Sequence, residues 1–255
     1  MFGALENKVA IITGAGRGLG KAFALRYAEE GAKLLLPDIN LERAAKTAEI
    51  IETIGGEAIA IEADISDEAS TQMIAEKVIK FYGKVDILLN NAAFSYGIDA
   101  RPWNAWEVEL WDQFFVVNTR GTWLCCKAIV PLMERQSRGK IINIASDIVK
   151  LPNAHTMLPY ACSKTAIYTL TQALARVLGP LGINVNAIAP GLTATEATLL
   201  QAESTELFES TVMTQCIKRT EEPQDLVGAA VFLASPDSDF ISGQCLFVNG
   251  GAVSV

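Results

Sequence analysis

The sequence predicts an α/β protein built on a doubly wound parallel sheet, with helices on both faces. Short apolar runs alternate with longer helix-patterned segments along all 255 residues, and half of those residues are hydrophobic while 20% are charged. That composition can fill a large layered core. A glycine-rich turn, TGAGRGLG at 13–20, also falls between the first apolar run and the first helical segment, where a β-α-β unit places a phosphate-binding turn.

The first run, KVAIIT at 8–13, has the length and β-branched content of a strand buried on both faces. A helical pattern follows at 19–30, then a second strand at 32–37 and a second helix at 41–54. EAIAIE at 57–62 is the third strand, 68–81 a helix and VDILL at 85–89 the fourth strand. One long helix is expected over 108–135, then a strand at 140–145, a helix over 158–178, and strands at 183–189 and 244–248. No internal repeat, low-complexity tract or Pro/Ser-rich linker divides the chain, so residues 1–255 are expected to form one domain.

The formal net charge of −8 argues against a nucleic-acid binder, which needs clustered Lys and Arg. Cys125, Cys126, Cys162, Cys216 and Cys245 form no C-x-x-C pair, and their odd number makes a poor disulfide framework. They are expected to be reduced thiols of a cytoplasmic protein. No basic segment leads into a long apolar one at the N-terminus, and no apolar run reaches the roughly 20 residues of a membrane span. The single histidine cannot make a zinc site alone, so no metal is expected.

In the glycine turn, Gly14 allows a tight bend, Gly18 lets backbone N–H groups approach a pyrophosphate, and Gly20 lets the helix sit close to the strand. Arg17 and Leu19, between them, share that candidate surface. Asp38 ends the second strand, where its carboxylate can accept hydrogen bonds from adenosine ribose hydroxyls and repel a 2′-phosphate. Arg17 pulls the other way, since a guanidinium can pair with that phosphate. A loop arginine can swing to solvent while a carboxylate beside a phosphate stays costly, so NAD is expected over NADP.

YACSK at 160–164 puts Tyr160 and Lys164 four positions apart, on one helix face. With the glycine turn, NNAA at 90–93, Asn118 and Ser146 in order, the chain resembles the short-chain dehydrogenase/reductases over essentially its whole length. The resemblance implies a Rossmann-type fold, an NAD(P) cofactor and a homotetramer paired through the long helices at 108–135 and 158–178. It also implies that Asp64, followed by Ile65, contacts adenine, and that Asn90, two residues before Ala92, stabilises the central sheet near the cofactor. In PGLTAT at 190–195, Pro190 and Gly191 begin the segment that holds the nicotinamide carboxamide, with Thr193 acting through its backbone and Thr195 through its hydroxyl. This chain departs from the family at Ala93, where NNAG is usual, and at Asn249, where Asp is frequent.

The same resemblance makes Asn118, Ser146, Tyr160 and Lys164 a catalytic tetrad. A free phenol, with a pKa near about 10, is a poor base at neutral pH. An ammonium one turn away favours the phenolate, and the Ser146 hydroxyl can hold the substrate oxygen against it. The family's asparagine at the position of Asn118 holds a water behind the lysine for proton relay.

The stretch 92–111 is rich in aromatic residues, and Phe94, Tyr96, Trp103 and Trp106 could line a pocket or pack the outside of the next helix. Asp147, Ile148, His155 and Met157 flank the tetrad and are further substrate candidates. A lid over substrate is expected at about 194–218, with Leu199, Leu200, Leu207, Phe208 and Met213 as its apolar ceiling. Arg101 is the one basic candidate in the aromatic stretch, so the expected substrate is an uncharged secondary alcohol or ketone with an apolar or aryl substituent. The alternatives are an NADPH-dependent 3-oxoacyl-thioester reductase and, from another class, a non-catalytic dinucleotide-binding regulatory protein.

Overall fold

The computed structural model describes residues 3–96, 98–200 and 204–253. One sheet of seven parallel strands runs through it in the order β3-β2-β1-β4-β5-β6-β7. The strands are β1 (Val9–Ile12), β2 (Lys33–Asp38), β3 (Glu57–Glu62), β4 (Ile87–Asn90), β5 (Gly139–Ile144), β6 (Ile183–Pro190) and β7 (Cys245–Val248). β1, β4 and β5 are buried along their whole length, as the unbroken apolar runs require when helices cover both faces.

Helices α1 (Gly18–Glu29), α2 (Leu41–Thr53) and α3 (Glu68–Tyr82) follow the first three strands. Asn40 and Asp67 cap α2 and α3 by accepting the Arg43 and Ser70 N–H groups, each at 2.9 Å. Winding reverses between β1 and β4, whose strand ends open a crevice on the C-terminal side of the sheet. The glycine turn, the residues after β4, Ser146 after β5 and the 190–195 segment at and after the end of β6 all lie at those strand ends.

The expected helix over 108–135 is present as one continuous helical run that widens in its middle: α4 (Val108–Phe114), a π-helical segment (Phe115–Gly121) and α5 (Thr122–Gln136). Asn118 lies in the wide turn, and the Thr122 hydroxyl donates to its carbonyl at 2.8 Å. Such an insertion into the backbone ladder marks functional sites more often than regular helix does. α6 (Leu158–Leu178) matches the expected range, whereas the lid segment contains α7 (Glu196–Leu199) and α8 (Ser204–Thr214).

α9 (Pro223–Ala234) was not among the expected elements, although its start carries Pro at the first position and a capping box between Glu222 and Asp225. Its face of Leu226, Val227, Ala230 and Val231 belongs to the same buried cluster as Phe23 and Tyr27 of α1. The Tyr27 hydroxyl donates to the Ala230 carbonyl at 2.9 Å, so this buried phenol is satisfied as it packs. Among the described residues no helix is long and apolar enough to cross a membrane, and no group of three or more His, Cys, Asp or Glu could hold a metal ion.

Candidate active site

The glycine turn is held from two sides. Gly14 and Gly18 adopt φ of 65° and 53°, a left-handed conformation that favours glycine. A Cβ on Gly20 would lie 2.1 Å from the Gly14 carbonyl oxygen, so only glycine lets α1 begin this close to β1. Asn91, which sequence reasoning passed over for Asn90, fixes the turn: its amide donates to the Thr13 and Gly14 carbonyls at 2.9 and 3.2 Å. The Asn91 and Ala92 N–H groups both donate to the Thr13 hydroxyl at 3.0 Å. Asn90 lies inside the sheet instead, its amide donating to Asn143 Oδ1 at 2.9 Å.

At the start of α1 the Gly18 N–H donates to Glu196 Oε2 at 3.0 Å. A helix N-terminus concentrates unpaired N–H groups and positive potential. A carboxylate already seated there shows that the turn accepts an anionic oxygen, and the cradle fits a dinucleotide pyrophosphate. Glu196 carried no signal in the sequence, because its partner is 178 residues away.

Asp38 stands at the rim of this cradle. Its Oδ2 accepts the Gly16 N–H at 2.8 Å and its Oδ1 accepts the Asn40 N–H at 2.9 Å. Arg17 points elsewhere: its guanidinium donates to the Tyr96 hydroxyl at 2.6 Å and lies 5.5 Å from that ring's centroid. Tyr96, expected on the substrate side, therefore partners the glycine turn. Asp64 accepts the Ser66 N–H and hydroxyl at 2.8 and 2.7 Å in the loop after β3, and Ile65 beside it is buried. Leu19 packs partly buried against the core under α1.

Ser146, Tyr160 and Lys164 come together where β5 meets α6. Lys164 is 4% exposed; its Nζ donates to the Ile144 carbonyl at 2.8 Å and lies 5.9 Å from the Tyr160 ring centroid. Burial brings its pKa down to about 8. The Tyr160 phenol is held above its ordinary pKa, chiefly by burial, with Asp147 adding to the rise and a hydrogen bond with Ser146 opposing it. The net direction is upward, the opposite of the lowering expected from Lys164. Ser146 also accepts the Ile148 N–H at 3.3 Å, which orients its hydroxyl at the strand end.

Asn118 is buried, and its side chain makes contacts that its spacing alone did not predict. Its Oδ1 accepts the Phe94 N–H at 2.7 Å, and its Nδ2 donates to the Phe94 carbonyl at 3.2 Å and to the Ser163 hydroxyl at 3.1 Å. The amide is committed to pinning the loop after β4 onto α6, and its carbonyl is taken by Thr122.

That anchor sets an aromatic chain. Phe94 and Phe114 meet edge to face at 5.1 Å, and Phe114 meets Tyr160 in the same way at 6.1 Å. Phe114, fully buried, was not among the expected pocket residues. Trp103 is 75% exposed and Trp106 lies under the Arg101 guanidinium at 5.0 Å, so neither belongs to this chain. His155 is exposed with Nδ1 3.2 Å from the Pro152 carbonyl, Met157 is half-buried in the same turn, and Ile148 is buried. The expected apolar ceiling is not closed: Phe208 is buried, whereas Leu199, Leu200, Leu207 and Met213 are exposed.

In the 190–195 segment, the Gly191 N–H donates to the Val248 carbonyl at 3.1 Å. The Thr193 hydroxyl donates to Glu221 Oε1 at 2.6 Å. Thr195 caps α7, its Oγ1 accepting the Thr198 N–H at 3.3 Å, so the hydroxyl expected to meet a carboxamide serves the helix start here. Pro190 ends β6, buried. Asp147 and Glu221 are each 5% exposed, and burial raises their carboxyls to about 6 and about 7.

Residues 14–253 match a family model described as Enoyl-(Acyl carrier protein) reductase. Galactitol 2-dehydrogenase of Agrobacterium fabrum is 39% identical over 97% of this chain and 98% of its own length. The (2S)-[(R)-hydroxy(phenyl)methyl]succinyl-CoA dehydrogenase subunit BbsD of Thauera aromatica is 35% identical over 97% of both. Among solved structures, levodione reductase superposes with a TM-score of 0.90 at 29% identity, covering 97% of this chain and 98% of its own.

Proposed function

Because this chain belongs to the short-chain dehydrogenase/reductase family of oxidoreductases acting on CH–OH groups, we propose that it transfers a hydride between NAD and a secondary alcohol or ketone bearing an apolar or aryl substituent. The observation that carries this is the meeting of Ser146, Tyr160 and buried Lys164 beside the Phe94–Phe114 aromatic chain. NAD supplies the hydride acceptor. Tyr160 takes the alcohol proton as the carbon is oxidised, and Ser146 holds the substrate oxygen against the phenol. Lys164, cationic at neutral pH with a pKa of about 8, supports the phenolate by its charge. Asn118 acts as a positioning residue, through Phe94 and Ser163.

Two observations support the finer choices. The Asp38 carboxylate is fixed by two backbone N–H groups at the cradle rim while Arg17 is engaged with Tyr96, an arrangement that favours ribose hydroxyls over a 2′-phosphate. The aromatic chain touching Tyr160 favours an aryl or apolar substituent, and the name of the Thauera relative describes a phenyl-bearing secondary alcohol. Initial rates with NAD and NADP against aliphatic, aryl, polyol and hydroxyacyl-thioester alcohols test the proposal. NAD preference with an aryl or apolar alcohol is the expected outcome. NADP preference with acyl thioesters would replace it with the 3-oxoacyl-thioester reductase.

A further inference from the structure

Beneath the segment that follows β6 lies a buried polar cluster that the reaction just described does not use. Glu221 holds this segment twice. Its carbonyl accepts the Ala194 N–H at 2.8 Å, in a short parallel bridge between Thr193 and Glu221, and its Oε1 accepts the Thr193 hydroxyl at 2.6 Å. Its Oε2 is buried and has no hydrogen-bond partner among the described residues. That oxygen lies against Gly191, where an added Cβ would fall 3.0 Å from it and 3.1 Å from Asn249 Cβ. Asn249 in turn donates to Asp147 Oδ2 at 3.4 Å. Two carboxyl groups therefore converge beneath one loop, in a space where Thr193, Asp147, Asn249 and Glu221 are all 5% exposed or less.

We infer that Glu221 is a positioning residue for the cofactor, setting the 190–195 loop through Thr193 and Ala194, and that loss of its proton, in a buried cluster that also holds Asp147, loosens the loop and weakens cofactor binding. The inference rests on the proposed dehydrogenase activity, in which this loop meets the nicotinamide end.

Two buried anions side by side are costly, so such a pair retains one proton to a higher pH than either carboxyl would alone. Burial raises the Glu221 carboxyl to about 7 against the pull of Thr193 and Gly191, with Asp147 and Asp225 adding to the rise, and burial raises Asp147 to about 6 against its hydrogen bond with Asn249. Arg219, whose charge interacts with Glu221, is committed to Asp225 through both terminal nitrogens, and Glu222 beside it adds further negative charge. On the other side Asp147 acts on the Tyr160 phenol, whose ionisation burial disfavours.

The test is the dissociation constant of NADH and of NADPH, read by protein-fluorescence quenching from about pH 5.5 to about pH 9. Wild-type affinity for whichever binds is expected to fall about tenfold across this range. Glu221→Gln keeps an acceptor for Thr193 and removes the titrating charge, so it should bind across the range about as tightly as wild type does at the acid end. Glu221→Ala should bind roughly tenfold more weakly at every pH. A limb arising from Lys164 would survive in Glu221→Gln, so the difference between the two profiles isolates the pair. Identical profiles for wild type and Glu221→Gln would overturn the inference, as would unchanged affinity in Glu221→Ala. If Glu221→Ala does not fold, the Glu221→Gln profile decides. Wild type binding neither nucleotide would sink the dehydrogenase proposal and this inference together, whereas nucleotide binding without the pH difference sinks the inference alone.

Discussion

Tyr160 and Glu221 show how burial sets the chemistry of single residues. Desolvation raises the Tyr160 phenol, so its own proton must pass to solvent before it can take the alcohol proton, and the Ser146 hydrogen bond and the Lys164 charge favour the phenolate that results. Tyr160→Phe removes the group that takes the proton and is expected to lower turnover by roughly 10² to 10⁴ while leaving NADH affinity near the wild-type value. Steady-state rates and a binding titration check this, and near-normal turnover would exclude Tyr160 as the base. Glu221 and Asp147 make a second prediction, in stability. Their folded pKa values, about 7 and about 6, lie above the ordinary carboxyl values, so the stabilisation they give is present at acid pH and is lost as pH rises through those values. Asp225 and Asp239, held low by Arg219 and Lys140, act in the opposite sense, since their stabilisation is lost as pH falls. Subtracting Glu221→Gln from wild type isolates the first effect. The variant's Tm is expected to gain on wild type by a few degrees, roughly, between pH ~5 and pH ~8. A constant difference in calorimetry would contradict it.

At the scale of elements, the π-helical segment and the lid start carry the site. The wide turn at Phe115–Gly121 brings Asn118 across to the main chain of Phe94 and to Ser163, joining three elements through one amide. Asn118→Ala leaves these groups without their partners, at a cost of about 1–3 kcal/mol. Tm should fall by roughly 2–10 °C and turnover should drop with it; a fully active variant of unchanged Tm would show that the amide holds nothing that matters. Glu196 makes the opposite prediction. Its carboxylate occupies the Gly18 N–H that a pyrophosphate oxygen would use and carries the same sign of charge. Glu196→Gln is expected to tighten NADH binding about three- to tenfold, read by the same fluorescence titration.

Over the whole molecule, the resemblance to the family implies a homotetramer. Trp123 remains 43% exposed on α5, on a surface it shares with Phe115, Val116 and Leu170 of α6, and Phe240 is fully exposed near β7. Exposed apolar side chains of this kind make these two faces the proposed contacts between chains. Light scattering is expected to give four times the chain mass, and Trp123→Glu to lower it; a wild-type monomer would leave these faces without the proposed role.

The sheet, its parallel sense and five of the larger helical regions were legible because they depend on local pattern: unbroken apolar runs for buried strands, helical periodicity between them, and glycine where α1 must approach β1. Tyr160 and Lys164 were legible for the same reason, since a spacing of four fixes two residues on one face whatever surrounds them. The widened turn at Asn118, the Arg17–Tyr96 pair, the Glu196 contact and the Glu221–Asp147 cluster were not legible. Each joins residues far apart in the chain, and each is settled by which buried polar group finds a partner once the strands have set the loops side by side. The sequence alone therefore determined the fold and the kind of chemistry, because periodicity and short spacings are local. Only the tertiary structure decided which side chains are committed to holding loops and which carry perturbed charges, because desolvation and hydrogen-bond satisfaction exist only in the packed chain.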